Sequence, residues 1–199
     1  STPSPSASVA LEATKIVATP TCGAPSGSTP VNWIAWSPIG RPSGIATDLI
    51  VLHGISLPPG QFGGPWIERL FNGQLPPDTH PYFAEIEGMR VSAHALVLRD
   101  GQVVQFVPFQ ARAWHAGQSS WEGRSACNDF SIGIELEGSD DVPYEAIQYS
   151  SVARLVRALL AAYPQLSVSR LVGHSDIAPG RKTDPGSAFD WPRLRALLA

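Results

Sequence analysis

Four stretches carry the hydrophobic patterning from which the fold is read. Leu49, Ile50, Val51 and Leu52 run without a polar break inside residues 46–55, the pattern of a strand buried on both faces. Residues 130–136 alternate and are apolar enough for a second central strand. Residues 90–99 and 102–107 flank Asp100-Gly101, a strong hairpin turn signal. On the first of these strands Ala93, Ala95 and Val97 share one face, and His94, Leu96 and Leu98 share the other. Residues 145–163 place Ile147, Val152, Leu155, Val156, Leu159 and Leu160 near helical spacing, and Pro164 ends the helix.

Shorter elements complete the pattern. Pro65 suits the first position of a helix running to Phe71. Asp190 is positioned to cap a closing helix within residues 189–199. Residues 32–44 read as an irregular strap anchored by Trp33 and Trp36, and the Gly- and Pro-dense loop 56–64 borders a pocket. The order strand, helix, hairpin, strand, long helix, loop, helix predicts one α+β (mixed α/β) domain, a central mixed sheet flanked by helices. Residues 1–31, rich in Ser, Pro, Ala and Thr, read as a flexible or loosely docked extension, leaving 32–199 as the domain.

Composition excludes several classes of function. A net charge of −3 carries no basic footprint for nucleic acid. No apolar run approaches the ~18 residues of a membrane span. Cys22 and Cys127 read as two unpaired thiols, and neither has a CxxC partner for a structural zinc cluster. Residues 1–31 lack the basic start and apolar centre of a secretion signal.

The polar residues that interrupt this pattern suggest chemistry. His53 leaves a buried strand where a site can be built; a core-edge histidine held by a backbone hydrogen bond is the other reading. Residues 173–186 form an ordered loop, because Pro179 and Pro185 break a regular helix, and it carries His174, Lys182 and Asp184. If His53, His174 and Asp184 converge, two imidazoles and a carboxylate leave a fourth tetrahedral position for water, the layout of a catalytic zinc site. Glu135 lies within a buried strand, where a carboxylate is costly unless paired or functional, and suits a general base. Lys182 suits oxyanion stabilisation. Glu137 is expected on the opposite face from Glu135, exposed beside Gly138. His80 reads as a surface turn residue and His94 as a packed strand residue. Trp114, set between small neighbours, is open to close approach by a sugar ring, or is a buried structural tryptophan.

Several stretches together resemble a known family: ISLPPGQFGGPWI, HPYFAEIEGMRVSAH, RAWHAG, CNDFSIGIELEG and GHSDIAPGRKTDPG with FDW after it. The sequence is similar to AmpD-type N-acetylmuramoyl-L-alanine amidases, the cytoplasmic enzymes of cell-wall recycling. The resemblance implies a fold like that of peptidoglycan-recognition domains and phage amidases. It implies one zinc ion per chain on His53, His174 and Asp184, with Glu135 catalytic and Lys182 stabilising the transition state. The implied reaction is hydrolysis of the amide between the lactyl group of a (1,6-anhydro-)muramoyl sugar and L-alanine, by a monomer. Trp114 and His115 are expected on the sugar and lactyl side, and Arg90 against a peptide carboxylate. The sequence departs from the family at Gly54, where Asn is usual, and at Ala126, where Arg is frequent.

Overall fold

The computed structural model describes residues 14–16 and 39–199. Trp33, Trp36 and Cys22 lie outside the described residues. Of the expected strap, Ile39–Gly40 (β2) pairs antiparallel with Ala111–Arg112 (β6).

A six-stranded sheet organises the chain. Its spatial order is Thr14–Ile16 (β1), Val103–Gln105 (β5), Ala95–Val97 (β4), Ser131–Glu137 (β9), Leu49–Ile55 (β3) and Leu171–Gly173 (β10). Within it β4 and β5 are antiparallel and every other neighbouring pair is parallel. A separate ribbon joins Ser120–Trp121 (β7) to Arg124–Ser125 (β8). The helices are Trp66–Phe71 (α1), Pro81–Glu85 (α2), Ala146–Ala162 (α3), His174–Ile177 (α4) and Trp191–Leu198 (α5). The sheet is therefore mixed and flanked by helices, as the element order predicts. Among the described residues no helix is long and apolar enough to cross a membrane.

The hairpin strands are shorter than the alternation suggests. The backbone leaves the hairpin ahead of His94: the Ser92 N–H donates to the Trp114 carbonyl at 3.0 Å. Asp190 caps α5 as expected, accepting from the Arg193 N–H at 2.9 Å.

Strand alternation sorts the two faces. Ile50 and Leu52 of β3 and Ile132, Ile134 and Leu136 of β9 pack on Val152, Leu155, Val156 and Leu159 of α3. Each such side chain stabilises the fold by about 1.5–3 kcal/mol through burial. Ile147, expected on this stripe, is 47% exposed, and Tyr149 is buried instead. The reason is angular: five residues before Val152, Ile147 stands about 140° round the helix from it. A capping box of Glu145 and Gln148 starts α3, and Gln148 Nε2 donates to the Val97 and Glu137 carbonyls at 3.2 and 3.0 Å. That side chain ties the helix to two strand ends.

The opposite face carries Leu49, Val51 and His53 of β3, and Ser131, Gly133, Glu135 and Glu137 of β9. α1 and α2 cover part of it through Ile67, Leu70 and Phe83, which pack with Leu96 and Val104. The expectation for Glu137 is overturned. Two residues beyond Glu135 it shares that face, and it is buried, accepting from the Gly63 N–H at 2.5 Å and the Arg99 N–H at 3.0 Å. Glu137 thus anchors loop 56–64 to the sheet.

Candidate active site

Strand register assembles the site. His53 of β3 stands beside Glu135 of β9. Gly173 of β10 stands beside Leu52, so the next residue, His174, comes level with His53. His174, His53 and Glu135 therefore form a row at the carboxyl ends of three adjacent parallel strands. Ligand crevices of open α/β sheets lie outside such ends. Residues 174–177 form one helical turn (α4), not the loop expected from Pro179 and Pro185, and the chain leaves it ahead of Pro179. The following turn is held by the Lys182 N–H donating to the Ala178 carbonyl at 3.0 Å. Asp184 returns beside the turn, its carbonyl accepting from the Ser175 N–H at 3.1 Å.

Three donor atoms converge. The Nδ1 atoms of His53 and His174 lie 3.0 Å apart, and Asp184 Oδ2 lies 3.2 and 3.1 Å from them. These atoms are all within 4.8 Å of one another, which is close enough to share one metal ion. The His174 Nε2 atom is 3.0 Å from the Ala116 carbonyl, which can only accept, so Nε2 carries a hydrogen. In neutral His174 the Nδ1 electron pair is then bare and faces the Asp184 carboxylate and His53 Nδ1. An electron pair held against a carboxylate oxygen favours a shared positive charge, a proton or a metal ion. Two buried imidazoles and one carboxylate are the donor set of a catalytic zinc centre, so the residues fit that ion.

Electrostatics sharpen the assignment. Burial lowers the His53 pKa to about 4, leaving the ring neutral and able to coordinate. Burial pushes Asp184 up, but the His174 and His53 rings against its Oδ2 outweigh it whenever they carry a proton, and the carboxyl is held well below its usual range. Glu135 behaves oppositely. It is 8% exposed, and its Oε2 atom has no hydrogen-bond partner among the described residues. Burial raises its pKa well above the ordinary value, the Asp184 charge adds to this, and Lys182 opposes it. A buried carboxyl with raised pKa beside a donor cluster is the environment of a general base.

These groups open into a cavity of about 740 Å³, with His53, Glu135, His174, Lys182 and Asp184 in its wall. Trp114 and His115 line it too. Trp114 is partly exposed, with the Arg112 guanidinium 4.3 Å over its ring, so it is not a buried structural tryptophan. His115 is buried, and its Nδ1 atom is 2.8 Å from His53 Nε2. Arg90 does not reach this cavity; it borders a neighbouring one of about 160 Å³ that shares Leu70, Ile86 and Met89 with the first. His94 is a buried structural residue, its Nδ1 accepting from the Gly133 N–H and its Nε2 donating to the Ala111 carbonyl, both at 3.0 Å.

Sequence reasoning passed over Tyr144 and Arg181. The Tyr144 hydroxyl donates to the Pro185 carbonyl at 2.9 Å, next to Asp184. Arg181 donates to the Ala116 carbonyl at 2.7 Å, the same oxygen that accepts from His174. Tyr144 also explains Gly54. A Cβ at position 54 would overlap its hydroxyl. Gly54→Ala is therefore expected to cost about 1–3 kcal/mol of stability, the range for overpacking a filled site. Thermal unfolding measures it, and the double variant Gly54→Ala/Tyr144→Phe should recover part of the loss.

A model of the Amidase_2 family, N-acetylmuramoyl-L-alanine amidase, matches residues 43–187. This chain belongs to that family. N-acetylmuramoyl-L-alanine amidases are hydrolases, and the match contains His53, Glu135, His174, Lys182 and Asp184. The family member 1,6-anhydro-N-acetylmuramyl-L-alanine amidase AmpD of Salmonella typhimurium SL1344 is 59% identical over 159 residues, 80% of this chain and 84% of that protein. A crystal structure of a selenomethionine AmpD derivative superposes with a TM-score of 0.79 at 56% identity, covering 81% of this chain and 89% of the other. The amidase AmiD of E. coli, solved with anhydro-N-acetylmuramic acid-L-Ala-D-γ-Glu-L-Lys, is 29% identical. That alignment covers 79% of this chain and 60% of AmiD, with a TM-score of 0.56.

Proposed function

We propose that the chain hydrolyses the amide between the lactyl group of a 1,6-anhydro-N-acetylmuramoyl sugar and the L-alanine of its stem peptide, in peptidoglycan recycling. The observation that carries this reading is the convergence of His53, His174 and Asp184 in one cavity with Glu135, whose Oε2 has no hydrogen-bond partner among the described residues. Similarity to AmpD supports the anhydro sugar, and the substrate held by AmiD supports the bond. The amidase domain is proposed to span residues 32–199, around the matched 43–187.

His53, His174 and Asp184 would hold one zinc ion. A zinc ion so held acts as a Lewis acid that polarises the amide carbonyl and lowers the pKa of a water to about 7. Glu135 takes the proton from the attacking water and delivers it to the departing alanine nitrogen. Its raised pKa suits both halves of that transfer, since it must be basic enough to accept and acidic enough to give. Lys182 places a cation at the cavity wall, where it offsets charge developing on the carbonyl oxygen. Trp114 offers an exposed aromatic face to the sugar.

Metal analysis combined with product mass on a defined anhydro-muropeptide tests the reading. About one zinc per chain is expected, with 1,6-anhydro-N-acetylmuramic acid and an intact L-alanyl peptide as products. Fragments cut within the stem peptide, or full turnover after exhaustive chelation, would refute it.

A further inference from the structure

We propose that His115 is a positioning residue for His53: with Ser131 and Gly133 it sets the His53 tautomer so that Nδ1 meets the metal as a bare electron pair. The inference rests on the zinc-centre reading above. It comes from a chain of buried hydrogen bonds that begins at a group able only to accept. The Ser131 hydroxyl lies 2.6 Å from the Cys127 carbonyl, so its single hydrogen is donated there. Towards His115 Nε2, at 3.1 Å, Ser131 Oγ is then an acceptor, and Nε2 must carry the hydrogen. A neutral imidazole has one ring hydrogen, so His115 Nδ1 is bare. It accepts from His53 Nε2 at 2.8 Å. With its hydrogen on Nε2, His53 presents an unprotonated Nδ1 to His174 and Asp184.

Two further contacts hold this arrangement in place. The Asn128 side-chain oxygen accepts from the backbone N–H groups of His115 and Ala116 at 3.1 and 2.9 Å, fixing the backbone on which the ring is carried. The ring itself packs against β9 at Gly133, where any Cβ would overlap Cγ, Cδ2 and Nδ1. Gly133 therefore makes room for the ring between Ser131 and Glu135 on the same strand face. His174 is set by the same logic from the other side, through the Ala116 carbonyl. Outer partners of this kind orient a ligand ring and fix its tautomer, and their loss typically costs about 10–100-fold in metal affinity.

The test compares the full-length wild-type chain with His115→Phe and His115→Asn. Zinc dissociation constants are measured by chelator competition, and imidazole ¹⁵N spectra are recorded on the zinc-loaded proteins. His115→Phe keeps the ring volume but removes the acceptor, and should weaken zinc about 10–100-fold. His115→Asn, whose side-chain oxygen can stand near the Nδ1 position, should bind within a few-fold of wild type. The wild-type spectrum should show His115 protonated at Nε2 alone and His53 protonated at Nε2. Equal zinc affinity in wild type and His115→Phe, or a hydrogen on His115 Nδ1, would overturn the inference while leaving the zinc centre intact. A wild-type chain that binds no zinc would overturn both. Fold is monitored by thermal unfolding of each variant. If His115→Phe is unfolded, the wild-type spectrum alone decides.

Discussion

Glu135→Gln should lower kcat/KM by about 10²–10⁴-fold while zinc affinity stays at the wild-type value. Glutamine keeps the shape of the side chain but cannot take a proton, and Glu135 is not one of the three converging donors. The two readouts separate proton transfer from metal binding. A variant that turns over at the wild-type rate would remove Glu135 from the reaction. The pH profile gives an independent check. Burial and the Asp184 charge raise the Glu135 pKa in the metal-free site, and in the enzyme kcat/KM should show an acid limb set by this carboxyl. The protonated acid cannot serve as base, so rate is lost as pH falls through that value. Lys182 opposes the shift, hence Lys182→Met should move the limb to still higher pH. A bound dication draws the pKa down in both proteins, and the comparison isolates the lysine.

Asp184→Ala should abolish stable zinc binding, with activity falling to the level of the chelated enzyme. The loss should exceed the ~10–100-fold expected from an outer partner, because the only anionic donor of the cluster is removed. The remaining imidazole electron pairs, 3.0 Å apart, would then face each other without a carboxylate to favour a cation. Zinc content after dialysis, measured beside circular dichroism, distinguishes a lost metal from a lost fold. Retention of one zinc per chain in Asp184→Ala would exclude Asp184 as a ligand.

Much of this molecule was legible in the amino-acid order. The unbroken apolar run at Leu49 to Leu52, the alternation of residues 130–136 and the Asp100-Gly101 turn are local signals. Local periodicity is what separates strand from helix. The anomalies within those signals were also readable: His53 at the end of a buried run, Glu135 inside another, and Pro-broken chain around His174, Lys182 and Asp184. Residue type marked them as candidates, because burying a charged or metal-binding side chain is unfavourable without a purpose or a partner, and the resemblance to a known family assembled them into one expected site.

What local pattern cannot carry is register and strand order, since both depend on pairing between distant segments. Only the assembled sheet set His53 beside Glu135 and brought β10 to the far side of β3, so that His174 arrived level with them. The same long-range pairing buried Glu137 under loop 56–64, where an exposed end of strand was expected. It laid His115 on Gly133, within reach of His53. The chain order carried the candidate groups; the hydrogen-bonded neighbours that surround them came from contacts between residues far apart along it.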